Sequence, residues 1–351
     1  MKFEITRRGR CTEMRNSVGL LLLLLLGIST IARGDAAFEL AGFSVFDKID
    51  INDLATSDVK AVRGPPMGGR LLSVQSCYVV PGSPARQIEA LRRWDPTKHR
   101  ELKVFLHSDL PATPTAANFA KLKNAPDNAP VNALVSNTQK LSADLQISRD
   151  EAKKFSASAG GGGGAMPASV AAFWTDVLVG RAKSFISGGT SAEPPYDHSG
   201  ETIRVSEELN ALLKQQGKIR RQFSGLLGET GIGRGAGALT PELYWELLDV
   251  DDQGVLTLGA SYNRAGTGGT HQAADVLYYA SGGYYVALTL YQMWPVTAEG
   301  KASTLVWRGD MISSASLASL HGVERLGSES AMMKDISKAI TLFRRDTAGG
   351  H

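Results

Sequence analysis

The fold is decided by residues 272–294, which read QAADVLYYASGGYYVALTLYQMW. Two runs rich in β-branched and aromatic residues flank Gly282-Gly283, and a Gly-Gly dipeptide between two such runs predicts a β-hairpin with a two-residue turn. That turn sets three cross-strand pairs: Tyr279–Val286, Leu277–Leu288 and Asp275–Leu290. The C-terminal part of the chain is therefore expected to contain an antiparallel sheet.

Both faces of this hairpin are apolar. One face carries Leu277, Tyr279, Val286, Leu288, Leu290 and Trp294, and the other carries Tyr278, Tyr285, Thr289 and Tyr291. A sheet that is apolar on both sides needs cover on both sides. We expect the amphipathic helix predicted over residues 329–344 to cover one face, and helices of residues 165–230 to cover the other.

Further elements are predicted on either side of the hairpin. Strands are expected at Leu71–Val80, 102–107, Leu243–Val250, Val255–Asn263 and Ser303–Met311. Ser83 can cap a helix whose first residue is Pro84, a position where the missing N–H costs nothing. Residues 110–240 show helical spacing and loops, with a flexible glycine run at Gly160–Gly164.

The predicted class is α+β, an antiparallel curved sheet packed on a long C-terminal helix, with a helical insertion between the early and late strands. The chain divides into a signal peptide (1–36), a lead-in segment (37–70), a single α+β domain (71–345) with the insertion at 110–240, and a disordered tail (346–351).

The first 36 residues have the three parts of a secretory signal. Basic residues precede the 11-residue apolar run Val18–Ile28, and small residues surround Ala36. Because a transmembrane helix needs about 20 apolar residues, cleavage near Ala36 is favoured over a retained anchor. The protein is therefore predicted to be exported, to a periplasm or to the extracellular space, with Met1 or Met14 as its start.

Charge and cysteine content exclude several classes of partner. The chain has 38 basic and 35 acidic residues, and residues 1–36 hold six and three of these, which leaves 32 of each after cleavage. A balanced charge gives no overall attraction to nucleic acid or to an anionic membrane. We predict no nucleic-acid partner and no stable transmembrane anchor after cleavage. Cys77 is then the one remaining cysteine, and it is expected to be a buried apolar residue.

The motifs of the chain specify neither a metal nor a cofactor. Asp249–Gly254 begins like a calcium loop, but Ala260 stands where that loop needs a carboxylate, so the segment is interpreted as a turn. The glycine-rich segment Gly231–Gly237 does not open a helix after a strand, and it is expected to be a flexible loop rather than a nucleotide site. The six histidines lack metal-ligand spacing.

Aromatic residues are concentrated in the late strands. They are Tyr244, Trp245, Tyr262, Tyr278, Tyr279, Tyr284, Tyr285, Tyr291, Trp294 and Trp307. They either supply bulk to a two-faced sheet or line a cavity in which tyrosine hydroxyls orient a ligand. Glu246, Asp275 and His271 can form an acid–base group only if the fold brings them together, so the catalytic residues stay unassigned.

Two stretches resemble the helix-grip fold of START-type lipid-transfer and polyketide-cyclase-like proteins. The first is Leu71–His107, with Val80–Pro84 at its strand-to-helix corner, and the second is Leu277–Phe343, with the Gly-Gly hairpin and the final helix. The second stretch is also similar to a group of exported bacterial proteins of unknown role. Such folds do not usually hold an insertion like 110–240.

The resemblance implies a curved sheet that grips the last helix around a mostly apolar cavity for lipids, sterols or aromatic metabolites. The residues assigned to ligand binding are Trp245, Tyr262, Leu277, Tyr279, Leu288, Trp294 and Arg308. Arg308 would meet an anionic head group or point to solvent.

The sequence thus predicts an exported protein that binds a hydrophobic small molecule or lipid without a cofactor. Two alternatives stay open: an enzyme of the cyclase or hydratase type that uses the same cavity, and a cell-envelope module whose insertion docks a protein. Perturbed carboxylates in a closed pocket would favour the enzyme. An exposed apolar stripe along Val170–Phe185 would favour the docking module.

Overall fold

The computed structural model describes residues 36–156 and 166–348 of the 351-residue chain. Residues 1–35 of the predicted signal peptide and the glycine run Gly160–Gly164 lie outside the described residues, as do residues 349–351. The described chain forms an eight-stranded sheet with helices on both of its faces.

Every neighbouring pair of strands in this sheet is antiparallel. The strands are β1 (Lys60–Arg63), β2 (Leu71–Pro81), β3 (Val104–Leu110), β4 (Glu242–Val250), β5 (Gln253–Ala265), β6 (His271–Ala280), β7 (Val286–Ala298) and β8 (Lys301–Ser313). Their order across the sheet is β1-β2-β8-β7-β6-β5-β4-β3. Because β2 pairs with β8, the first long strand and the last strand lie side by side. The predicted α+β class is confirmed.

The helices fall into three groups. Before and beside the first strands lie α1 (residues 36–43), α2 (Ile51–Thr56) and α3 (Pro84–Arg93). The insertion contains a 3₁₀ helix (Ala116–Asn124), α4 (Ala129–Gln139), α5 (Arg149–Ala152), α6 (Ala168–Gly188), α7 (Val205–Gln215), α8 (Gly217–Gln222) and α9 (Ser224–Thr230). After β8 come α10 (Ala315–Ala318) and α11 (Gly322–Ala348). Helix α3 begins as predicted, since Ser83 Oγ accepts a hydrogen bond from the Arg86 N–H.

The insertion covers one face of the sheet, called the helical face below. Helix α6 buries Val170, Trp174, Val177, Leu178 and Phe185 in the core of this face. Trp174 Nε1 also donates to Thr138 Oγ1 of α4 over 2.9 Å. The apolar residues of Val170–Phe185 are therefore packed in the core, and the exposed stripe expected of a docking module is not formed by these residues.

Helices α3, α10 and α11 cover the opposite face, called the terminal face. Met332, Met333, Ile336 and Ile340 of α11 pack against Leu72, Val74, Tyr78 and Val306. At the start of α11, Arg325 donates to the backbone carbonyls of Met67 and Gly69. Helix α11 thus packs mainly on β1 and β2 and not on the hairpin that it was predicted to cover, whose terminal face is contacted by α3, and its contact with β2 is filled by side chains. It also reaches Ala348, beyond the predicted start of a disordered tail at residue 346.

The predicted hairpin register is wrong by one residue. Asp275 lies opposite Thr289, and Val276 lies opposite Leu288. The connection runs from Ser281 to Tyr285 instead of being a two-residue turn, because Ser281 continues to bond β5: its N–H donates to the Leu256 carbonyl and its Oγ accepts from the Leu256 N–H. Leu277 therefore lies on the terminal face and not beside Leu288.

A β-bulge also changes the predicted faces of two tyrosines. Leu258 of β5 pairs with Tyr279, but the next residue of β5, Gly259, pairs with Leu277, which leaves Tyr278 without a partner. A bulge of this kind can turn two successive side chains to the same side. Tyr278 and Tyr279 accordingly both lie in the core of the helical face, whereas strict alternation predicted opposite faces.

Two smaller predictions are confirmed. Cys77 is buried in β2, and burial raises the pKa of its thiol to about 12. Asp251 and Asp252 form the turn between β4 and β5 with positive φ angles of 50° and 62°, and Asp249 Oδ1 accepts the Asp252 N–H over 2.8 Å. The acidic side chain of Asp249 thus has a local structural partner.

Candidate ligand-binding site

The seven residues predicted to bind a ligand lie on both faces of the sheet. Trp245, Tyr262, Tyr279, Leu288 and Trp294 belong to the helical face, and Leu277 and Arg308 belong to the terminal face. The structure therefore does not bring all seven to one surface. Since the register and the bulge place Leu277 and Leu288 apart, no single cavity can be lined by the whole set.

Several of these residues hold the core together. Trp245 Nε1 donates to the Asn118 carbonyl of the 3₁₀ helix over 3.1 Å, and Trp294 Nε1 donates to Glu39 Oε2 of α1 over 2.8 Å. Arg308 neither points to solvent nor is free for a head group, because its guanidinium forms two short hydrogen bonds to Asp310. The interpretation of the aromatic residues as bulk for a two-faced sheet fits these contacts.

Tyr262 does line a cavity. This cavity has a volume of about 240 Å³ and lies between the end of α6, the segment 230–241 and the start of β4. Its apolar wall consists of Phe185, Ile186, Ile232, Leu239, Pro241 and Leu243. We call it the glycine-loop cavity, because residues of the glycine-rich segment Gly231–Gly237 form one side of it.

The glycine-rich segment is a loop, as predicted, and although residues 234–238 are exposed its backbone makes specific contacts. Gly231 has a φ of 69°, and a Cβ at this position would collide with the Gly235 carbonyl oxygen. A Cβ at Gly237 would collide with the Glu229 carbonyl oxygen. The Arg234 N–H donates to the Gly231 carbonyl over 2.8 Å, and the Arg234 carbonyl accepts the Ser191 N–H over 3.1 Å. These contacts fix the backbone that faces the cavity.

Most polar side chains of this cavity are already engaged. Thr190 Oγ1 donates to the Arg234 carbonyl over 3.1 Å, and Thr230 Oγ1 donates to the Leu227 carbonyl over 3.3 Å. Tyr262 is buried, and its hydroxyl has no hydrogen-bond partner among the described residues. Burial raises the pKa of Tyr262 to about 12, so the hydroxyl stays protonated at neutral pH and is available to a ligand.

The cavity that the helix-grip resemblance implied was expected elsewhere, between the late strands and the last helix. In the structure α11 packs instead mainly on the early strands β1 and β2, where its side chains fill the contact with Leu72, Val74 and Tyr78. The glycine-loop cavity lies instead against the insertion. The sequence signal for this cavity is Tyr262 in an aromatic-rich strand, and the composition of Gly231–Gly237 predicts a loop without indicating that it borders a cavity.

Across residues 36–156 and 166–348, no group of three or more histidine, cysteine, aspartate or glutamate side chains is arranged to hold a metal ion. The helices of the same residues include none with the length and apolar character needed to cross a bilayer.

Known proteins supply no further guide to the function. No protein-family model matches the chain, and neither a curated protein nor a solved structure is significantly similar to it. The function proposed below therefore rests on the cavities and contacts of this chain.

Proposed function

We propose that the protein binds a small hydrophobic molecule in the glycine-loop cavity. The observation that carries this proposal is a mostly apolar cavity bounded by a turn with defined backbone hydrogen bonds and by the Tyr262 hydroxyl, which has no hydrogen-bond partner among the described residues. Burying apolar ligand surface contributes about 25 cal/mol per Å², and the Tyr262 hydroxyl would pair with one polar group of the ligand. The cavity is smaller than the roughly 300–1,000 Å³ of drug-sized sites, which favours a compact ligand over a whole lipid.

Binding is favoured over catalysis in this cavity. The lining residues include no aspartate, glutamate, histidine or lysine among the described part of the chain. The cyclase or hydratase alternative needs a tyrosine together with an aspartate or glutamate within hydrogen-bond reach of the substrate, and this cavity supplies only Tyr262. The docking-module alternative loses its main support, because Val170, Trp174 and Phe185 are buried.

The binding proposal is tested with two probes, 1-naphthol and naphthalene, by isothermal titration calorimetry. The probes share one ring system and differ by a hydroxyl group. Since a net hydrogen bond contributes about 0.5–1.5 kcal/mol, Tyr262→Phe should weaken 1-naphthol binding about 2- to 10-fold and leave naphthalene binding unchanged. Ala112→Phe, at the exposed rim of the cavity, should weaken the binding of both probes.

The matched control is Ala143→Phe, which adds the same side chain at an exposed residue outside the glycine-loop cavity. It should bind both probes as the wild-type protein does. If the wild-type protein binds neither probe, or if Ala112→Phe binds both with unchanged affinity, the proposed site is wrong.

We also propose that the protein acts outside the cytoplasm, on the basis of the basic, apolar and small-residue parts of residues 1–36. Intact mass measurement of the protein recovered from a cell-envelope extract and from the medium tests this. Loss of about 36 N-terminal residues is expected. A full-length protein confined to the cytoplasmic fraction would contradict export.

A further inference from the structure

A second cavity lies on the terminal face, beneath helix α3. It has a volume of about 160 Å³, and we call it the α3 cavity. Ile88, Leu91 and Trp94 form an apolar wall, and Ser261, Asp275 and Tyr291 supply polar groups. It lies on the other side of β5 and β6 from the glycine-loop cavity, and the two cavities share one lining residue, Tyr262 of β5, whose side chain belongs to the helical face.

The distinctive group of the α3 cavity is the carboxylate of Asp275. Its Oδ1 accepts a hydrogen bond from Tyr244 Oη over 2.6 Å, and Ser261 lies opposite Asp275 on β5. Both neighbours carry neutral hydroxyl groups. Burial, with a smaller contribution from the nearby Glu246 carboxylate, raises the pKa of Asp275 to about 6. At neutral pH the cavity therefore holds a partly buried negative charge.

The charged neighbours of Asp275 are committed to other partners. Arg308 Nη2 lies 2.7 Å from Asp310 Oδ1 on β8. Arg92 of α3 pairs with both Glu89 and Glu242. His107 Nδ1 of β3 lies 3.0 Å from Glu246 Oε1.

Asp275 thus has no direct ion pair among the described residues, although Arg308 is close enough to lower its pKa. The groups that face it are Arg92 from α3, Tyr244 and Glu246 from β4, Tyr284 from the β6–β7 connection, Tyr291 from β7, and Arg308 and Asp310 from β8. The two arginines in this set are balanced by the carboxylates that they contact. A ligand that carries a positive charge would supply the missing counter-charge.

We propose that the α3 cavity binds a small organic amine in its ammonium form. The ammonium group would donate to Asp275, in a charge-assisted hydrogen bond, while the carbon chain contacts Ile88, Leu91 and Trp94. An unpaired charge is costly to bury, and pairing with a cation offsets that cost. An anionic ligand is disfavoured by repulsion from Asp275 and Glu246, and a neutral ligand leaves the carboxylate unpaired.

The test compares three probes of matched carbon chain: n-butylammonium, 1-butanol and butyrate. Calorimetry at pH 7 should show n-butylammonium binding at least tenfold more tightly than 1-butanol, and no binding of butyrate. Asp275→Asn keeps the shape of the side chain but removes its charge, and it should reduce the affinity for n-butylammonium to that for 1-butanol. Because Asp275 loses its charge below about pH 6, wild-type affinity for the amine should fall roughly tenfold from pH 7 to pH 5.

The control is Asp109→Asn, which removes a carboxylate on the same face whose side chain is 90% exposed. It should bind n-butylammonium as the wild-type protein does. Should Asp275→Asn fail to fold, Leu91→Trp fills the cavity from the partly exposed side of α3 and should abolish amine binding. Equal affinity for the amine and the alcohol, or unchanged amine binding by either variant, would overturn the proposal. 1-Naphthol binding, measured in parallel, shows whether a variant of the α3 cavity also changes the glycine-loop cavity.

Discussion

The guanidinium carbon of Arg181 lies 4.3 Å from the centre of the Tyr279 ring, within the core of the helical face. Arg181 is fully buried, with Nη2 2.7 Å from Glu151 Oε2 and Nη1 3.0 Å from the Pro194 carbonyl. A buried guanidinium needs both charge and hydrogen-bond partners. Tyr279, predicted to contact a ligand, instead lies against the buried cation of α6.

Glu193 is a second buried carboxyl group beside Arg181, and it predicts a specific pH dependence of stability. Its Oε2 is 3.5 Å from Arg181 Nη1, longer than a usual hydrogen bond of about 2.7–3.2 Å. Burial, which outweighs the attraction of Arg181, raises the pKa of Glu193 to about 8. Because an unfolded glutamate has a pKa of about 4.3, the folded state holds the proton between these values. The contribution of Glu193 to the free energy of unfolding is therefore fully present below about pH 4, and it is lost as the pH rises to about 8.

Glu193→Gln should remove this part of the pH dependence, since glutamine resembles the protonated acid. In urea denaturation, the variant should match the wild-type protein at about pH 4 and exceed its free energy of unfolding by an increasing margin up to about pH 8. Glu207→Gln, at an exposed residue of α7, is the control and should differ from wild type by a constant amount. A constant difference for Glu193→Gln as well would show that Glu193 is ionised throughout.

Elements set by neighbouring residues could be predicted from the sequence. The start of α3 depends on Ser83, Pro84 and Arg86, which are adjacent in the chain, and it was predicted correctly. The register after β6 depends on bonds between Ser281 and Leu256, 25 residues apart. A local turn signal at Gly282-Gly283 cannot contain that information, because the competing partner belongs to another strand.

In the candidate sites, too, single residues could be predicted from the sequence, whereas contacts between distant residues could not. Tyr262 was predicted from the aromatic content of the late strands, but the glycine-loop cavity also needs the contact between Thr190 and Arg234, 44 residues apart. Asp275 and Glu246 were recognised as possible acid–base residues. Their neighbours Tyr244 and His107 were not assigned to them, because that requires the order of β3, β4, β5 and β6 in the sheet.

The hydrogen bond from Tyr244 to Asp275 should be measurable in the titration of Asp275. This bond lowers the pKa of Asp275, against the larger effect of burial. Tyr244→Phe should therefore raise the pKa of Asp275 further above about 6, which a ¹³C NMR titration of the carboxyl carbon would detect. Tyr284→Phe, which removes a nearby hydroxyl that is not a donor to Asp275, should leave it unchanged. An unchanged titration in Tyr244→Phe would mean that the hydroxyl does not donate to the carboxylate in solution.

The lead-in segment contributes to the folded core, and two residues of α1 provide a matched test. Leu40 is 0% exposed and Phe38 is 81% exposed. Leu40→Ala should lower the free energy of unfolding by about 2–5 kcal/mol because it leaves a cavity in the core. Phe38→Ala should stay within about 0.5 kcal/mol of wild type. Similar small effects of both substitutions in urea denaturation would show that α1 is not packed on the sheet.

Gly237 belongs both to the glycine-rich segment and to the lining of the proposed binding site. A Cβ at Gly237 meets backbone atoms of Glu229 and Thr230, which cannot move aside as a flexible side chain would. Gly237→Ala should therefore displace this segment, lower stability by about 1–3 kcal/mol, and weaken 1-naphthol binding several-fold. Gly228→Ala in α9, where an added Cβ meets nothing within 4 Å, should leave binding unchanged and maintain or raise stability by up to about 1 kcal/mol. Wild-type stability and binding in Gly237→Ala would instead identify the segment as the deformable loop that its composition predicted, and the fixed backbone on which the binding proposal depends would be absent.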